Sequence, residues 1–125
     1  ALDGTSELVP REEILLPDRQ SAELAAAARR NNPAAVGSIP LEYVDDTVQF
    51  HPEWVVDKIA PRPILFITTD DDRLVPPEES RALYARAGEP KKLVVLEGFG
   101  HYEVYHEPAF SQVMRETVAW YEAYL

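Results

Sequence analysis

The chain contains no cysteine. That one absence excludes disulfide scaffolds, thiolate zinc sites, iron–sulfur clusters and thiol nucleophiles together. It is silent on compartment, because a cysteine-free chain is stable in any redox environment. Long apolar runs are also missing, and none approaches the roughly 18–20 residues of a membrane-spanning helix. Positive charge is in short supply: 12 Lys and Arg stand against 22 Asp and Glu, a net charge of −10. Nucleic-acid backbones and anionic membrane surfaces recruit clustered cations, so neither is an expected partner. The chain opens Ala1-Leu2-Asp3-Gly4, without an initiator Met, a basic stretch or the apolar core of a signal peptide. This opening reads as that of a processed chain or a piece of a longer one, and the expected location is the cytoplasm.

What is present is globular. Hydrophobic residues make up 46% and charged residues 27% of 125 positions, ordinary values for one folded domain or part of one. Eleven prolines cut the chain into short elements, and there is no internal repeat. Residues 1–20 read as an irregular entry segment, since Pro10 and Pro17 forbid a long helix there. Ser21 can cap a helix over Ala22–Arg30, whose alanines favour helix and whose Arg29 and Arg30 suit its C-terminal end. Pro40 reads as opening a second helical stretch, with Leu41, Val44 and Val48 on one face. Pro52 reads as opening a short helix, Glu53–Ile59. Residues 1–51 thus form a helical lid or linker segment, distinct from residues 52–125.

The clearest signal is Ile64-Leu65-Phe66-Ile67-Thr68, a continuous apolar run without alternation. Such a run marks a parallel strand buried on both faces. Pro76 and Pro77 start a helix to about Ala87, with Gly88 placed as a C-terminal cap. Leu93-Val94-Val95-Leu96 is a second strand of the same kind. A last helix follows Pro108, with Phe110, Val113, Met114, Thr117, Trp120, Tyr121 and Tyr124 at helical spacing. The expected class is α/β, built on a right-handed βαβ unit with flanking helices. Two parallel strands bury little by themselves and leave an open edge. The chain is therefore expected to pair with further polypeptide rather than stand as a self-sufficient monomer.

Ligands of parallel α/β sheets bind beyond the C-terminal ends of the strands. Two polar clusters stand there. One is Thr69-Asp70-Asp71-Asp72-Arg73-Leu74-Val75-Pro76, and the other is Glu97-Gly98-Phe99-Gly100-His101-Tyr102. An acid and then a histidine leave adjacent strand ends, the arrangement in which a carboxylate fixes an imidazole's tautomer and stabilises its protonated form. Asp72-Arg73-Leu74-Val75-Pro76 followed, 29 residues on from the acid, by His101 of Gly98-Phe99-Gly100-His101 resembles the C-terminal part of an α/β-hydrolase. The nearest members are esterases and dienelactone-hydrolase-like enzymes. The run Trp54–Pro63 resembles the lead-in to the acid's strand, and residues 40–125 carry most of the likeness.

The resemblance implies that Asp72 is the acid and His101 the general base of a serine hydrolase acting on a small ester-like substrate, with no cofactor and no metal. Thr69 stands where the family usually has glycine. The G-x-S-x-G elbow that should carry the nucleophile is missing. Serines occur at positions 6, 21, 38, 80 and 111, and only Gly4-Thr5-Ser6 begins like the motif, which Leu8 then breaks. The chain is thus expected to supply two members of a triad. An N-terminal hydrolase segment or a second copy of the chain would supply the third. Two competing readings remain at this point. One is a non-catalytic assembly or binding module of the same fold. The other is a phosphatase using Asp70-x-Asp72, which a magnesium-dependent activity unaffected by His101→Ala would favour. His51 and His106 lack a strand-end context and read as surface or structural residues. His101-x-Glu103-x-x-His106 is not a metal-binding spacing.

Overall fold

The computed structural model describes residues 6–14, 19–32 and 37–125. The chain divides into two compact units, Ala1–Phe50 and His51–Leu125.

In the first unit, strand β1 (Leu8–Pro10) pairs antiparallel with β2 (Ser38–Pro40). The entry segment is therefore not wholly irregular. The pair is extended at both ends by backbone bonds, Arg11 N–H to the Gly37 carbonyl and Leu41 N–H to the Glu7 carbonyl. Pro10 and Pro40 are tolerated because each closes its short strand. Helix α1 (Arg11–Ile14) follows β1 directly. The apolar Leu15 and Leu16, and Pro17, lie outside the described residues. Helix α2 (Arg19–Asn31) begins before Ser21, which sits inside its first turns rather than capping it. Arg19 and Glu23 pair across one of those turns at 2.9 Å. Pro40 ends β2 instead of opening a helix, and helix α3 starts at Glu42 and runs to Gln49. No described side chain of this unit is buried.

The second unit carries the predicted parallel pair. Strand β3 (Ile64–Thr69) and strand β4 (Lys91–Leu96) run parallel in register, from Ile64 opposite Lys91 to Thr69 opposite Leu96. The crossover between them is helix α4 (Pro77–Arg86), which packs on both strands. Helix α5 (Ala109–Tyr124) also packs on both. The mixed α/β class expected from the apolar runs is thus the observed one. Residues 52–59 form two successive 3₁₀ turns, Pro52–Trp54 and Val56–Lys58, in place of one short α-helix. Val56 alone of those turns is buried, while Trp54 stacks on the His51 ring at 3.8 Å.

Every described buried residue lies in this unit: Val56, Thr68, Thr69, Ala87, Leu96 and Ala109. The strands are only half-covered along most of their length and become buried at their C-terminal ends. Helix α5 divides into two faces. Val113, Glu116, Thr117 and Trp120 are half-buried, whereas Phe110, Met114, Tyr121 and Tyr124 remain exposed. Lys92 on β4 reaches Glu116 on α5 at 2.7 Å, tying strand to helix. That hydrogen bond holds the Glu116 carboxyl below its ordinary range.

Gly88 plays a different part from the expected cap. Its backbone is not left-handed, and Ala87 ends α4 in an extended conformation. The terminal carbonyls of Tyr84 and Ala87 are instead taken by the Lys91 ammonium, at 2.8 Å each. Glycine is needed at 88 for close approach, because a Cβ there would stand 2.7 Å from the Ala60 Cβ. No described helix is long and apolar enough to cross a membrane.

Candidate active site

Because β3 and β4 end in register, Asp70 and Glu97 leave the sheet at the same level. The two loops that follow stay laced together. Asp70 N–H bonds the Leu96 carbonyl at 3.1 Å, and Asp71 N–H bonds the Phe99 carbonyl at 3.3 Å.

In the acid turn, three consecutive aspartates have three different partners. Asp70 Oδ1 accepts the Gly98 N–H at 2.7 Å. Asp71 meets the exposed Arg73 at 3.2 Å. Asp72 uses both oxygens: Oδ1 accepts the backbone N–H groups of Leu74 (3.0 Å) and Val75 (2.8 Å), while Oδ2 lies 2.8 Å from His101 Nδ1. The local bonds fold the turn back on its own carboxylate, a habit of aspartate in loops. They also orient Oδ2, so the turn-forming role and the histidine-binding role of Asp72 coexist.

The histidine loop needs two glycines. Gly98 has φ +79°, in the left-handed region that glycine adopts without strain. A Cβ on Gly100 would lie 3.3 Å from Glu103 Oε2 and 3.7 Å from the Asp71 carbonyl. Gly100 N–H donates to Glu103 Oε2, so the loop is gripped by a carboxylate at each glycine. His101 emerges with its ring edge-on to Tyr102, centroids 4.9 Å apart. The Asp72 side chain is 9% exposed and that of His101 28%, so the carboxylate is shielded and the imidazole is reachable.

The structure therefore brings Asp72 and His101 together at the C-terminal ends of adjacent parallel strands, where their sequence positions placed them. It does not bring Ser6 into a comparable setting. Ser6 precedes the short β1 instead of following a strand, and its hydroxyl bonds Glu42. Gly4 and Thr5 of its partial motif lie outside the described residues. Ser80 lies in α4, and Ser111 in α5 donates its hydroxyl to Glu107. Asp70, read in the sequence only as part of a phosphatase alternative, and Glu103, read only in a rejected metal spacing, here bond the glycine loop. Glu103 carries only the common signal of a carboxylate beside a glycine loop, and Asp70, 28 residues before Gly98, carries no local signal for this bond. Glu103 serves the loop, and no cluster of three or more His, Asp or Glu suited to a metal ion occurs among the described residues. Beneath the acid turn, Thr69 is 1% exposed and its hydroxyl has no hydrogen-bond partner among the described residues.

A parallel strand pair delivering an acid and a histidine to one edge invites comparison with known folds. The α/β-hydrolase GrgF from Penicillium sp. sh18 superposes with a TM-score of 0.74 over 95% of this chain and 43% of its own, at 24% identity. DcsB, solved in complex with its substrate analogue, superposes at 0.79 over 99% of this chain and 46% of its own, at 18% identity. The fold is α/β-hydrolase-like. An uncharacterized 31.7 kDa protein of Escherichia coli, from the traX-finO intergenic region, is 28% identical over 112 residues, 89% of this chain and 39% of the relative. The polyketide transferase ATR5 of Stachybotrys chlorohalonatus is 28% identical over 83 residues, 66% of this chain and 27% of the relative. A polyketide transferase of Gibberella fujikuroi is 40% identical over 47 residues, 38% of this chain and 15% of the relative. No family model matches the chain. The chain thus spans less than half the length of each of these relatives and solved structures.

Proposed function

We propose that the chain carries the acid and the general base of a serine-dependent hydrolase or acyl transferase of the esterase and dienelactone-hydrolase type. The serine and the oxyanion hole would come from polypeptide outside these 125 residues, either an N-terminal hydrolase segment or a second copy. The observation that carries this reading is the 2.8 Å bond between Asp72 Oδ2 and His101 Nδ1 at a shared strand-end level. With Nδ1–H donated to the carboxylate, the imidazole presents the Nε2 lone pair as its base.

In the reaction, Nε2 takes the proton of a serine hydroxyl as its oxygen attacks the carbonyl carbon of a small ester. The carbon–oxygen bond to the alcohol breaks, and the imidazolium returns the proton to the departing alcohol. Water, or a hydroxyl-bearing acceptor, then attacks the acyl carbon as His101 takes its proton, the carbon–oxygen bond to the serine breaks, the acid or new ester departs, and the imidazolium returns the proton to the serine oxygen. Asp72 stays ionised and stabilises the imidazolium. Relatives named as transferases support the acyl-transfer class, because hydrolysis and transfer differ only in the acceptor. Both carboxylates of Asp70-x-Asp72 are engaged by protein groups, which disfavours the phosphatase reading.

A fluorophosphonate probe on the natural, intact protein tests the proposal. Covalent labelling lost on His101→Ala is expected, and sequencing the labelled peptide identifies which polypeptide holds the serine. No labelling with every segment present would leave a non-catalytic module of the same fold.

A further inference from the structure

We infer that Asp70 is the positioning residue for His101, acting through Gly98; the inference rests on the reading of His101 as the general base. Between Leu96 at the end of β4 and His101, the backbone passes through Gly98-Phe99-Gly100. Gly98 at φ +79° has nothing within 4 Å of where a Cβ would stand, so no close contact on that side of its backbone holds the turn. What holds it is the Asp70 carboxylate, which accepts the Gly98 N–H at 2.7 Å across 28 residues of sequence. A bond of that length between an N–H and a carboxylate is of the strong, charge-assisted kind. It is reinforced by the two backbone bonds from Asp70 to Leu96 and from Asp71 to Phe99.

Removing the Asp70 side chain deletes the side-chain bond at Gly98 and leaves the two backbone bonds, with the Glu103 bond at Gly100, to orient the glycine loop. Asp72 holds its own geometry through Leu74 and Val75, so the acid would stay in place while the imidazole swings away from it. A displacement of about 1 Å at a catalytic group can cost as much as a hundredfold in rate. Asp70 therefore acts on His101 without touching the reacting atoms.

The test uses the intact protein and three variants: Asp70→Ala, Asp70→Asn, which keeps an acceptor oxygen, and Asp70→Ser, which replaces the alanine variant should that one not fold. Three quantities are read: the low-field proton resonance of the His101 Nδ1–H, solvent exchange of the Gly98 amide, and aryl-ester turnover. Asp70→Ala is expected to broaden or abolish the imidazole resonance, to speed Gly98 exchange by about tenfold, and to lower kcat by about tenfold or more with KM unchanged. Asp70→Asn is expected to restore all three. An imidazole resonance unchanged in Asp70→Ala overturns the inference. So does a folded Asp70→Asn that keeps the slow Gly98 exchange of the wild type yet loses the imidazole resonance, since the Gly98 bond would then not be what places His101. If the wild-type protein turns over no ester, the hydrolase reading fails, while the resonance and the amide exchange still decide the role of Asp70.

Discussion

The two loops that meet at the site are built on opposite plans. The acid turn after β3 is self-supporting, because Asp72 accepts the N–H groups of Leu74 and Val75 two and three residues ahead. The histidine loop after β4 contains two glycines, and Asp70 grips it from the other strand end. The difference teaches that one carboxylate can be placed by its neighbours in sequence, whereas an imidazole on a glycine loop needs the sheet register to place it.

The largest effect that would break this comparison is at the pair itself. His101→Ala should lower ester turnover of the intact protein by at least about 10³-fold and leave the thermal midpoint nearly unchanged, because Asp72 retains its turn. Asp72→Ala should lose comparable activity and also about 1 kcal/mol of stability, since two backbone N–H groups lose their acceptor. Kinetics and thermal unfolding on both variants check the asymmetry. Equal midpoints would show that the acid turn does not depend on its carboxylate.

Gly98→Ala probes the other loop. Nothing obstructs the new methyl, so its cost is that of the left-handed backbone alone, about 1–2 kcal/mol. Denaturant unfolding should show that loss together with reduced turnover. A silent Gly98→Ala would mean that the loop takes up another backbone conformation without consequence for His101.

A smaller effect is expected at Thr69, where the acid turn leaves the sheet. Its buried hydroxyl is unpartnered among the described residues, so Thr69→Val should be neutral or stabilising by up to about 1 kcal/mol. Destabilisation on denaturant unfolding would show that the hydroxyl supports the turn.

The smallest is far from both loops. Lys92–Glu116 is partly exposed, and Glu116→Gln should cost less than about 1 kcal/mol at neutral pH. The fold holds this carboxyl below its ordinary range, so the pair stabilises at neutral pH and its contribution is lost as pH falls through the lowered value. Wild-type and Glu116→Gln midpoints should therefore converge in acid. A gap that persists there would assign the difference to packing.

By itself the sequence determined the α/β class, both parallel strands and the strand-end positions of Asp72 and His101. Continuous apolar runs mean burial on both faces, and a polar cluster after each run marks where the chain leaves the sheet. The elements it determined least were those with the fewest residues. The three-residue pairing of β1 with β2 is too short for any periodicity; Pro10 reads as barring a helix and Pro40 as opening one, although each closes a strand. The 3₁₀ turns at residues 52–58 read as one helix in the sequence because their apolar residues cluster, although only Val56 among them is buried. Tertiary structure alone decided what Gly88 is for, which face of α5 packs, and which of three adjacent aspartates meets which partner. The decisive contacts span tens of residues: Asp70 meets Gly98 only once β3 and β4 lie in register, Lys92 meets Glu116 only once α5 lies against β4, and Gly88 meets Ala60 only in the packed unit.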